Sequence, residues 1–129
     1  MVGTSEHSSC ARREEAVPRR TEAKPFCLKV GARIRELRKE RGMSLLDLAD
    51  ASATSKGHLS SIEQGLAAIT IETVERIARA LDVPPFCIMT FPADDEVNRI
   101  ADLARKVPKG ERRKLRKDLE ARATHEPAT

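Results

Sequence analysis

The chain has 129 residues and a net charge of +4, from 24 basic and 20 acidic side chains, which suits one domain with appendages. Three Phe and no Tyr or Trp leave the core to aliphatic side chains. No N-terminal apolar run resembles a signal peptide and no segment is long enough to span a bilayer, so a cytoplasmic protein without a membrane partner is expected.

Cys10, Cys27 and Cys87 are odd in number and far apart, as reduced thiols are, and lack ligand spacing. His7, His58 and His125 are equally scattered. No metal site and no cofactor are expected.

Residues 1–23 mix Ser, Thr, Glu and Arg, with four acidic and four basic side chains. They hold too little apolar surface to offset the entropy of ordering and are expected to form a disordered tail. Its Arg12-Arg13 and Arg19-Arg20 pairs suit either phosphate contacts or a solubilising arm. A first helix is predicted from Pro25, a residue tolerated in a first turn, to about Arg41, with Gly42 ending it. Val30, Ile34 and Leu37 form its buried stripe, extended one turn by Phe26. Arg33, Arg35, Lys39 and Arg41 are expected in solvent. Lys24 to Arg41 holds seven basic and two acidic residues, compatible with nucleic acid or with a solvated helix face.

Ser44 and Asp47 form a capping box for a short second helix, Leu45 to about Ala51, with Met43 and Leu48 as its hydrophobic staple. Ser52-Ala53-Thr54 must turn before Ser55 caps a third helix. Two short helices joined by such a turn make a helix-turn-helix unit. In the third helix Leu59 and Ile62 face inward and Gly65 supplies the left-handed stop. Lys56, Gly57, Ser60, Ser61 and Gln64 are expected on its outer face. A slim, donor-rich face of this kind can enter a DNA major groove, although periodicity alone does not establish that it does.

Thr70 caps a fourth helix whose inner face is Val74, Ile77, Ala78 and Leu81. Asp82-Val83-Pro84-Pro85 forces a break, and Phe86–Met89 is predicted as a short fifth helix. Pro92 and Asp94-Asp95-Glu96 mark a boundary. Val97, Ile100, Ala101 and Ala104 then recur at helical spacing. After a break at Pro108-Lys109-Gly110, a last helix runs from Glu111 to Arg122 with only Leu115 and Leu119 as anchors. Lys109 to Arg122 holds seven basic against three acidic residues. Phe86, Cys87 and Phe91 either seat the Val97–Ala104 helix or contribute to a dimer contact. The expected organisation is a disordered tail over 1–23, an all-α domain over 24–92 and a helical extension with a frayed end over 93–129.

The run Gly31 to Ser44, then Leu48-Ala49, then Ser55-Lys-Gly-His-Leu-Ser-Ser-Ile-Glu-Gln-Gly65 resembles the lambda-repressor/Cro-type helix-turn-helix family. The resemblance covers about Phe26 to Met89 and implies a five-helix domain with its third helix in the major groove. Lys56, Gly57 and Ser61 fall where members contact base edges, with His58 and Ser60 adjacent. Ser44, Leu45 and Gln64 fall at phosphate-contacting positions, with Arg41 a further phosphate candidate. Arg38 and Glu63 match a pair that ties the first helix to the third in relatives.

Three positions depart from that pattern. Leu45 stands where members often carry Gln. The turn is Ala53-Thr54 where Gly and an aliphatic are usual. The loop Leu66-Ala67-Ala68-Ile69 has none of the usual cations, which weakens the expected non-specific binding.

The resulting expectation is a non-enzymatic, sequence-specific transcriptional regulator, of repressor type. It would bind double-stranded DNA as a homodimer on a two-fold operator, with a regulatory protein as a further possible partner. The rival reading is a protein-interaction module, antitoxin-like or a co-regulator subunit, that keeps the fold as scaffold. Leu45 and the neutral loop favour the rival; Lys56-Gly57 and the basic first helix favour DNA.

Overall fold

Six α-helices and one 3₁₀ helix make up residues 22–124, the part of the chain that the computed structural model describes. The tail to residue 21, with its paired arginines, Cys10 and His7, lies outside the described residues, as do His125 and the expected frayed end. There is no strand among the described residues, in keeping with the all-α expectation. The helices fall into two compact units that divide between Met89 and Thr90.

In the first unit, α1 (Pro25–Glu40) begins with Pro in its first turn and ends at Arg41, with Gly42 at φ +70°. α2 (Leu45–Ala51) starts at the Ser44–Asp47 capping box, both halves of which are formed. α3 (Lys56–Glu63) is capped by Ser55, whose Oγ accepts from the His58 amide at 3.1 Å. α4 (Ile71–Leu81) is capped by Thr70 and stops at Asp82, whose φ is +58°. The expected short fifth helix is a 3₁₀ turn, Pro85–Met89. Each cap satisfies an amide that the helix itself leaves open.

Ile34, Leu37, Leu48, Leu59, Ile62, Ile77, Leu81 and Ile88 are almost fully buried and form the aliphatic core. Each such side chain stabilises the fold by ~2 kcal/mol through removal from water. α1 packs on α3 and on the 3₁₀ helix, while α2 packs on α3 and α4.

Two expectations for α1 are corrected. Phe26 is 54% exposed and does not extend the buried stripe. Arg33 is 3% exposed rather than solvated. Its Nε donates to the Cys87 carbonyl at 2.9 Å and its guanidinium also reaches Glu36 at 3.1 Å. The 3₁₀ helix leaves carbonyls that need donors, and a guanidinium can supply one while its stem packs in the core.

In the second unit, α5 (Glu96–Lys106) is capped by Asp95, whose Oδ1 accepts from the Asn98 amide at 2.8 Å. α6 runs from Lys109 to Thr124. It includes Lys109 and Gly110, so the break is confined to the residues just before it. Val97, Ile100 and Leu103 on α5 are all more than half exposed, whereas Asp102 is buried and paired with Arg105 at 2.8 Å.

Candidate nucleic-acid interface

The turn between α2 and α3 is held from several sides. Thr54 N–H donates to the Ala49 carbonyl at 2.9 Å, and Ser52 Oγ donates to the Leu48 carbonyl at 2.7 Å. Ala53, between them, takes the left-handed conformation at φ +55°. The departure from glycine is therefore met by strain at one residue and not by a shifted turn. Arg76 on α4 donates from Nε to the Ser52 carbonyl at 2.9 Å and from its terminal nitrogen to Thr73 Oγ1 at 3.3 Å. The angle between α2 and α3 is thus anchored to α4 by one side chain.

α3 is pressed close to α1. A Cβ on Gly31 would lie 2.3 Å from the Ile62 carbonyl oxygen and 2.6 Å from that of Glu63, so only glycine permits this approach. Arg38 and Glu63 form the expected pair, with Nε to Oε2 at 2.8 Å and a second bond at 3.1 Å. Arg38 also donates to the Met43 carbonyl at 3.0 Å. Both side chains are nearly nine-tenths buried or more. A two-bond guanidinium–carboxylate pair fixes orientation as well as distance.

The outer face of α3 carries Lys56 and Gly57, both exposed, with half-buried Ser60 and exposed Gln64. Gln64 Nε2 donates to Ser60 Oγ at 2.9 Å. A Cβ at Gly57 would meet nothing within 4 Å, so that position is open to an approaching molecule.

Ser61 corrects the expected outer face. It is 1% exposed, and its Oγ has no hydrogen-bond partner among the described residues. The side chain is enclosed by the packed protein and cannot reach a base edge in this conformation. α1 and α2 both pack on α3, and together they cover more of it than the Leu59–Ile62 stripe.

His58 is half-buried, and its pKa is lowered first by desolvation and then by the nearby Arg76 charge. Both causes favour the neutral ring, which offers one donor and one acceptor.

At the start of α2, the Ser44 amide is already bonded to Asp47 Oδ2 at 2.9 Å and is not open to a phosphate. That bond, with the Ser44 hydroxyl contact, holds the Asp47 carboxyl below its ordinary pKa. The Leu45 amide, at the first position of the helix, has no acceptor within it. Arg41 is exposed and loosely paired with Asp82 at 3.5 Å. The residues missed from sequence are Gly31, Arg33 and Arg76. A glycine inside a helical pattern was the one available signal.

A helix-turn-helix family model matches residues 34–86. The transcriptional regulator SinR of Bacillus subtilis is 42% identical over 55 residues, or 42% of this chain and 50% of SinR. A solved structure of SinR in complex with DNA is 36% identical, covering 46% of this chain and 97% of that one, with a TM-score of 0.45. The restriction-modification controller protein C.AhdI from Aeromonas hydrophila is 31% identical, covering 48% of this chain and 94% of its own, with a TM-score of 0.48. The chain spans about half the length of the SinR sequence it matches.

Proposed function

We propose, from the premise that this chain belongs to the helix-turn-helix family through residues 34–86, that it is a sequence-specific DNA-binding transcriptional regulator. The observation that carries the reading is the rigidly seated α3, which turns Lys56, Gly57, Ser60 and Gln64 outward. Lys56 supplies a cation for a guanine edge or a phosphate, and Gly57 allows backbone approach to the groove. Ser60 and His58 border the same surface, while Arg41, Gln64 and the Leu45 amide suit phosphates. The transcriptional regulator SinR of Bacillus subtilis, 42% identical over 55 residues, supports this use of the fold.

The finer reading is a repressor whose two copies bind a two-fold operator. Residues 24–92 form the binding domain, and dimer contacts come from 93–129. Val97, Ile100 and Leu103, exposed on one helix, support that division. Two observations favour the rival interaction module. Leu45 has no side-chain donor for a phosphate, and the loop Leu66–Ile69 has no cation.

Binding selection from randomised DNA separates the two. Parent protein should enrich a palindromic motif, and Lys56→Ala should change one position in each half-site. An absence of any enriched motif would transfer the reading to the interaction module.

A further inference from the structure

α6 carries seven basic side chains, and three are already engaged. Arg112 donates to the carbonyls of Val107 and Arg105 at 2.7 and 2.8 Å. Arg116 pairs with Glu120 at 2.6 Å, and Arg122 pairs with Asp118 at 3.2 Å. The other four, Lys109, Arg113, Lys114 and Lys117, are exposed. None of the four has a hydrogen-bond or ion-pair partner among the described residues.

At ~100° of rotation per residue, these four share an arc of ~140°. Lys109, Arg113 and Lys117 follow one another at four-residue intervals, ~6 Å apart along the axis. Like charges at that spacing weaken a helix unless an anion lies against them. The only acid inside the arc is Glu120, which Arg116 holds; Glu111 and Asp118 lie outside it. Gly110, Ala121 and Thr124 complete the arc, so it has no large apolar side chain to anchor a protein partner. A row of point charges without an anchor is the chemistry of phosphate-backbone contact.

We propose that α6 is a second DNA-contacting surface, gripping backbone phosphates through Lys109, Arg113, Lys114 and Lys117 without reading sequence. The inference rests on the DNA-binding reading above. It would also supply the non-specific affinity that the cation-free loop Leu66–Ile69 lacks. Two DNA-contacting surfaces on one chain raise each other's effective concentration.

The test uses the full chain and the quadruple variant K109Q/R113Q/K114Q/K117Q, since Gln is nearly as good a helix former as Lys or Arg. Affinity for a random-sequence duplex is followed by fluorescence anisotropy over a salt series, with circular dichroism confirming equal helix content. Four lost phosphate contacts should reduce the slope of log affinity against log salt by ~3.6 units. A fourfold rise in salt then weakens the parent roughly 100-fold more than the variant. The motif selected from randomised DNA should be unchanged.

A variant with the parental slope overturns the proposal. If that variant still selects the parental motif, the reading of α3 stands. Loss of poly-glutamate binding with duplex binding unchanged also overturns the proposal and assigns the strip to an acidic protein. A parent that binds no duplex overturns both readings.

Discussion

Ala53 holds a backbone conformation that costs an L-residue with a Cβ ~1 kcal/mol. Glycine there removes the strain but loses more entropy on folding. Ala53→Gly should therefore raise stability by up to ~1 kcal/mol, seen as a higher urea midpoint at unchanged slope. The Arg38–Glu63 pair makes the opposite case. Glu63→Ala would leave a largely buried guanidinium with only the Met43 carbonyl, at a cost of ~3 kcal/mol. A melting temperature equal to the parent's would show that the pair contributes nothing.

Two titrating residues give a pH dependence of one sign. His58 and Asp47 both have lowered pKa values in the fold, so the unfolded chain binds more protons through each window. Stability falls as pH drops below ~6.5 for His58 and again below ~3.9 for Asp47. His58→Gln should flatten the first decline, and Asp47→Ala should flatten the second, as read by urea midpoints across pH.

At the scale of the element, α3 meets two glycines with opposite requirements. Gly31 on α1 lies against the α3 backbone, where a Cβ would fall far inside contact distance of two carbonyl oxygens. Gly31→Ala must separate the helices and should destabilise by about 2 kcal/mol, as overpacking does. It should also lower DNA affinity by tilting α3. Gly57 faces open space. Gly57→Ala should fold at least as stably as the parent, gaining up to ~1 kcal/mol of helix propensity. Gly57→Leu should also fold yet lose specific DNA binding, because its clash exists only against the duplex. Thermal melts beside anisotropy on the selected motif distinguish these variants. A Gly57→Leu protein that binds normally would remove α3 from the groove.

For the whole molecule, the exposed apolar row on α5 is the surface proposed for the dimer. Val97 is 75% exposed and Ile100 is 52% exposed, so charged replacements there leave the core untouched. Val97→Lys with Ile100→Lys should give a folded monomer in sedimentation at micromolar concentration. Its affinity for a two-fold site should fall towards that of a half-site. An unchanged dimer would place the contact elsewhere.

Features that depend on neighbours along the chain were legible in the residues alone. Ser44 with Asp47, Ser55 and Thr70 announced three helix starts, because capping is a bond between a side chain and an amide two or three residues away. Val30, Ile34, Leu37, Leu59, Ile62, Val74, Ile77 and Leu81 were legible as core from helical periodicity, and all are buried. Lys56, Gly57 and Gln64 were legible as exposed for the same reason. Arg38 and Glu63 were visible only through the resemblance, since nothing local joins residues so far apart.

Tertiary packing decided the rest. Ser61 looked outward on an isolated helix and is enclosed once α1 and α2 close around α3. Arg33 looked solvated and is buried because the 3₁₀ helix brings the Cys87 carbonyl to it. Arg76 carried no local signal, because its acceptor, the Ser52 carbonyl, lies 24 positions away. A periodic pattern reports the direction of a side chain on its own helix, whereas burial depends on which other helices pack around it.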